Sequence, residues 1–186
     1  MSVLAFDIPG TGESTVPMSL ESANVVSGLV REAKQIGNGR VAHFGISMGG
    51  YFSARTGLSS EVDAAVVLGG PVEAAFETAP VHAMAGIVGS ALGFDTAPTA
   101  AEINERWGPM SLSSLLETSE SAPPMLVVNG ENDPLIPQHD TLVFDGRTNA
   151  ETQLVPDSGH CAAEKLGEVT PMIIGWLAKT MADPTA

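Results

Sequence analysis

The run Val41-Ala-His-Phe-Gly45-Ile-Ser47-Met-Gly49-Gly50 constrains the fold of this chain more than any other stretch. Three of its first four residues are apolar, the mark of a short buried strand, and Gly50 to Thr56 reads as the opening of a helix. Between them lies G-x-S-x-G, so a strand turns sharply into a helix with Ser47 at the apex, the geometry of a nucleophile elbow. So tight a turn strains the serine's backbone and calls for residues without bulk two before and two after it. The turn also exposes Oγ above the sheet edge and aims the next helix's amides at any developing negative charge. A chain with 20 glycines meets this pattern by chance about once in five or six cases, so its context carries the weight. The decisive context is an acid and a histidine downstream, each just past a strand.

The rest of the chain alternates strands and helices. Short apolar runs predict strands over Ser2–Phe6, Asp63–Leu68, Met125–Val128 and Thr152–Val155. Helical spacing predicts a helix from Ser19, its N-cap, to Ile36, with Leu20, Ala23, Val26, Val30 and Ala33 on one face and Gly37 as the stop. A further helix is expected around Gln138–Phe144. A last one starts at Thr170-Pro171, with Ile173, Ile174, Leu177 and Met181 as its face. Such alternation predicts an α/β protein with a mostly parallel sheet, right-handed crossovers and catalytic loops at the strands' C-terminal ends.

Residues 71–124 differ in character. Helical pieces over Glu73–Phe76, Val81–Leu92, Ala100–Trp107 and Leu112–Glu117 are broken by Pro80, Pro98 and Pro109, and no strand signal occurs. This predicts a helical cap inserted into a core built from residues 1–70 and 125–186. Met84, Ile87, Leu92, Phe94, Trp107 and Met110 would line a pocket or pack the cap on the body.

Composition narrows the function. A length of 186 residues suits one domain with a proper core. A net charge of −14 leaves no basic patch for nucleic acid or an anionic membrane, and favours a small neutral substrate. The single cysteine, Cys161, rules out an internal disulfide framework and fits a reducing compartment. The opening residues carry no basic stretch and meet Asp7 at once, so they do not read as a signal peptide; a cytoplasmic location is the expectation. Gly10 and Gly12 lack the lysine and the spacing of a phosphate cradle.

Three polar groups fall on loops past three different strands: Ser47, Asp133 and His160. A serine hydroxyl is a weak nucleophile at neutral pH, and His160 would take its proton and return it to the leaving group. Asp133 would hold the imidazole in the right tautomer, and the Met48 amide would be one oxyanion donor. Asp157 and Glu131 compete with Asp133, which is preferred because it precedes Pro-Leu-Ile-Pro137 after the penultimate strand. His43 reads as an interior histidine of the elbow strand, while His82 and His139 read as surface or packing residues. Four histidines without paired spacing offer no metal site, and this chemistry needs no metal or organic cofactor. Cys161 reads as core.

These residues resemble the α/β-hydrolase superfamily, specifically its FrsA-like branch of esterases and related cofactor-independent hydrolases. The resemblance rests on Asp7-Ile-Pro-Gly-Thr-Gly-Glu-Ser14, Gly45-Ile-Ser-Met-Gly-Gly50, Leu68-Gly-Gly-Pro-Val72, Asn129-Gly-Glu-Asn-Asp133 with Ile136-Pro137, and Ser158-Gly-His-Cys161. It implies the α/β-hydrolase fold and the chain order Ser, Asp, His. It also implies that the run over Ser2–Phe6 is that fold's fourth strand. The third strand, whose loop carries the other oxyanion donor, would then lie upstream, and the sheet would have a gap beside the elbow strand. The chain is therefore expected to be the C-terminal part of a longer protein or a reading begun too late.

Two functions follow. The first is a serine hydrolase acting on an ester, thioester or activated carbon–carbon bond of a small acyl substrate. The serine at the elbow argues against the dehalogenase branch, where an aspartate stands. The second is a non-catalytic hydrolase-like binding module, motivated by the absent oxyanion loop.

Overall fold

The computed structural model describes residues 2–80, 83–119 and 121–182. Four strands form one parallel sheet in sequence order: β1 (Ala42–Ile46), β2 (Ala64–Leu68), β3 (Met125–Gly130) and β4 (Ala150–Val155). The helices described with them are α1 (Ala23–Ile36), α2 (Met48–Leu58), α3 (Ala83–Ala91), α4 (Ala100–Trp107), α5 (Ser113–Thr118), α6 (Gln138–Leu142) and α7 (Leu166–Thr180).

A parallel sheet must be covered on both faces, and β2 and β3 are buried along their whole length. On one face Val26 and Val30 of α1 and Phe52 and Ala54 of α2 share a core with Ala65, Val67, Met125 and Val127. On the other, Val169, Ile173 and Leu177 of α7 meet Val66, Leu68, Leu126 and Val128. The spacing of four along α7 sets one apolar stripe, which explains two departures from the sequence reading. The helix starts at Leu166 rather than at Thr170-Pro171, because Val169 belongs to the stripe and Pro171 is tolerated in the second turn. Ile174, assigned to the buried face by sequence, lies one residue off the stripe and is 53% exposed.

α1 also begins later than the sequence suggests. The side chains of Ser19 and Ser22 each accept the other's backbone N–H, at 2.9 and 3.1 Å, and close a turn before the helix. Leu20, in that turn, is exposed.

No strand forms over Ser2–Phe6, contrary to the sequence reading. A strand needs a partner ladder, and residues 2–5 have none; only Phe6 packs, its ring 6.0 Å from that of His43. β1 pairs with β2 on one side, from Ala42 opposite Ala64 to Ile46 opposite Leu68. Among the described residues no strand pairs with its other edge, the side on which the gap beside the elbow strand is expected.

Between β2 and β3 the described chain is helical. Leu92, Trp107 and Met110 are buried in the same core as α2, while Ile87 is exposed. The Trp107 indole N–H donates to the Ala75 carbonyl at 2.8 Å. Asp140 of α6, fully buried, accepts the amides of Glu73, Ala74 and Ala75 at 2.8, 2.7 and 3.0 Å, tying this segment to the sheet. Burial pushes its carboxyl above the usual carboxylate range despite those bonds. Val81 and His82 lie outside the described residues. Among the described residues no helix is long and apolar enough to cross a membrane.

Candidate active site

β1 ends at Ile46 and α2 begins at Met48, so Ser47 alone makes the turn. Its backbone has φ 53° and ψ −124°, a conformation that costs an ordinary residue about 1–3 kcal/mol. The surroundings hold it there: Ser47 N–H donates to Leu68 C=O at 2.8 Å, and Ser47 C=O accepts Gly50 N–H at 2.8 Å. A Cβ at Gly45 would collide with the Gly49 carbonyl, and one at Gly50 would lie 2.7 Å from the Gly70 Cα. At Gly49 a Cβ would meet nothing within 4 Å. The sequence rule of no bulk two residues after the serine therefore falls one position short. Gly50 is the tight one, because it faces the backbone that follows β2.

Asp133 lies in the turn after β3, and His160 opens a 3-10 segment after β4. His160 Nε2 stands 2.7 Å from Ser47 Oγ, and His160 Nδ1 stands 2.8 Å from Asp133 Oδ2. An ionised carboxylate only accepts, so the assigned proton sits on Nδ1 and leaves Nε2 to accept from the serine hydroxyl. The Asp133 side chain is wholly buried, whereas that of His160 is 25% exposed. Asp133 Oδ1 accepts the Leu135 amide at 2.7 Å, and Oδ2 accepts Asn129 Nδ2–H at 2.8 Å besides the imidazole. Burial pushes the Asp133 carboxyl upward, but the bonds from His160, Leu135 and Asn129 outweigh it and hold it below the ordinary value. His160 is raised above an ordinary histidine, first by its bond to Asp133 and then by Cys161.

The remaining candidates stand apart. Glu131 and Asp157 are exposed and make no bond to His160. Met48 opens α2, so its N–H is among the amides a helix leaves unbonded at its start. His43 is buried with Nδ1 2.9 Å from Thr56 Oγ1, and burial pushes it down to about 4, so it is neutral. His139 pairs with Glu73 at 2.7 Å at the surface. Cys161 is buried with Sγ 3.4 Å from Leu68 C=O, inside the α7-side core. Among the described residues no cluster of three or more His, Cys, Asp or Glu is placed to hold a metal ion. An open groove of about 630 Å³ lies elsewhere, lined by Met18, Val25, Leu92 and Arg106 among others, and none of Ser47, Asp133 or His160 borders it.

No family model matches the sequence, and no curated protein matches it. Solved structures do. AbyA5 superposes on 96% of this chain with a TM-score of 0.76 at 19% identity, the match covering 54% of AbyA5. A 2,6-dihydroxy-pseudo-oxynicotine hydrolase covers 95% with a TM-score of 0.73 at 18% identity, over 51% of its own length. A thermophilic esterase from Thermogutta terrifontis covers 95% with a TM-score of 0.61 at 19% identity, over 79% of its length. The chain has the α/β-hydrolase fold. It spans about half the length of the first two of these structures. In the hydrolase fold the three loops carrying Ser47, Asp133 and His160 converge at the C-terminal edge of the sheet, where parallel strands place their ligands.

Sequence reading passed over two residues of this region. Asn129 carried a signal: a polar side chain at the end of an apolar strand run, where asparagine is disfavoured. Asp140 carried none, since an acid in the first turn of a helix is commonplace.

Proposed function

We propose that this chain is a serine hydrolase that cleaves an ester, thioester or activated carbon–carbon bond of a small acyl compound. The observation that carries this reading is the unbroken pair of hydrogen bonds from Ser47 Oγ through His160 to Asp133, at 2.7 and 2.8 Å. Ser47 Oγ attacks the acyl carbon while its proton passes to His160 Nε2. Asp133 stays ionised and stabilises the imidazolium. The Met48 amide at the start of α2 donates to the oxyanion. The tetrahedral species collapses as Nε2 returns the proton to the leaving group, and a water repeats the sequence to free the acid and restore Ser47.

The names of solved structures sharing the fold, among them an esterase and a monoacylglycerol lipase, agree with hydrolysis. The finer likeness to the FrsA-like branch, a helical cap over residues 71–124, and a cytoplasmic setting with neither nucleic acid nor membrane as partner rest on sequence.

Fluorophosphonate labelling read by intact mass, with Ser47→Ala as control, tests the proposal. Labelling that disappears in S47A supports it. A second reading, a binding module without turnover, is favoured by one observation: the nucleophile sits on the edge strand of the sheet. Absence of labelling, together with no turnover of a p-nitrophenyl ester panel, would select that reading.

A further inference from the structure

Asn129 has no part in the chemistry above, yet the site is built around it. It lies in β3 after the apolar run Met125–Val128 and is fully buried. A polar group in such a place is costly unless both its halves are bonded. Both are. Nδ2–H donates to Asp133 Oδ2 at 2.8 Å, and Oδ1 accepts the Cys161 N–H at 3.0 Å. The amide cannot be turned round, because that would set donor against donor at Cys161 and acceptor against acceptor at Asp133.

The two partners are the ones that decide how His160 is held. Asp133 Oδ2 is the same oxygen that accepts the hydrogen bond from His160 Nδ1–H. Cys161 follows His160 directly and has φ 57°, with Ala162 after it at φ 50°. Two successive non-glycine residues in the left-handed region persist only where something outside the segment fixes them. The Asn129 side chain supplies one such tie, reaching across from the strand that also leads to the acid.

We propose that Asn129 is the positioning residue of this site, aiming Asp133 Oδ2 at His160 Nδ1 and anchoring the backbone behind the imidazole. Three donors then fix the carboxylate: Leu135 N–H on Oδ1, and Asn129 and His160 on Oδ2. Without Asn129 the carboxylate keeps only the Leu135 and His160 donors and is aimed less tightly, and the backbone behind His160 loses this tie to β3. The consequence for turnover rests on the hydrolase reading; the consequence for His160 titration does not.

The experiment is an NMR titration of the His160 imidazole in the whole chain, comparing wild type, Asn129→Leu and Asp133→Asn. Leucine has the same branched arrangement of non-hydrogen side-chain atoms as asparagine but neither donor nor acceptor. The expected result is a His160 pKa in N129L lowered by about one unit, part of the way to the D133N value. On an ester substrate kcat should fall about 10- to 100-fold, with KM within about twofold of wild type. A His160 that titrates in N129L as in wild type, or higher, overturns the proposal. A loss of kcat with the titration unmoved also overturns it, since that is the mark of a merely structural residue. Where N129L does not fold, Asn129→Ala is read in the same way. A wild-type chain that ignores fluorophosphonate would sink the hydrolase reading alone, because the titration still decides Asn129.

Discussion

The two sides of the candidate site are held in different ways. On the β3–β4 side the described polar atoms are matched: Asp133 has three donors, Asn129 uses both halves of its amide, and the Asn132 N–H donates to Ser158 C=O at 2.9 Å. On the β1 side the nucleophile stands at the end of an edge strand. Val66 and Leu68 of β2 are buried under the α7-side core, while their register partners Phe44 and Ile46 are 41% and 55% exposed. The same alternation of apolar residues is thus satisfied in one strand and unsatisfied in the next. The acid follows β3, which has a strand on either side; the base follows β4, the opposite edge of the sheet, and is tied back through Asp133 and Asn129. Ser47 is positioned from one side, through the β1–β2 ladder and its own bond to Leu68.

The largest effect should come from the fully matched side. Asp133→Asn removes the acceptor that fixes the His160 tautomer, and kcat on a p-nitrophenyl ester should fall about 10³- to 10⁴-fold. Turnover needs neutral His160, so wild-type activity is lost as pH falls through the raised His160 pKa. In D133N the partner that raises it is gone, and the acid limb of kcat/KM should move to lower pH. Activity within tenfold of wild type would mean that this side contributes little.

Intermediate effects test the contrast in packing. Leu68→Ala, under α7, should cost about 2–4 kcal/mol in urea unfolding, whereas Ile46→Ala, one strand over, should cost no more than about 0.5 kcal/mol. Equal losses would show that the outer face of β1 is covered in solution and would erase the difference between the two sides.

The smallest effects sharpen the picture at the elbow itself. Gly50→Ala presses a Cβ on the Gly70 backbone and should destabilise by about 1–3 kcal/mol. Gly49→Ala meets open space within α2 and should be neutral or stabilising by up to about 1 kcal/mol. Melting temperatures of the two variants in the opposite order would overturn this placement of the tight contact.

Sequence by itself determined the strands β1 to β4, the helices between them and the three loops that carry Ser47, Asp133 and His160. Each rests on local rules. Apolar runs of strand length, glycine punctuation after them, and helical spacing of Val26 and Val30 are visible in any short window. What sequence could not determine depended on neighbours distant in the chain. The run over Ser2–Phe6 has the composition of a strand but no ladder to join, and α7 starts at Leu166, a turn ahead of Pro171, because Val169 packs on the sheet. The small residue that the elbow demands is Gly50 because Gly70, twenty residues on, backs against it. Asn129 lies just past the strand that sequence predicts over Met125–Val128, and only the tertiary fold makes it the link between Asp133 and Cys161. A buried amide takes its meaning from the atoms within 3 Å of it, and those atoms come from parts of the chain that only the tertiary fold brings together.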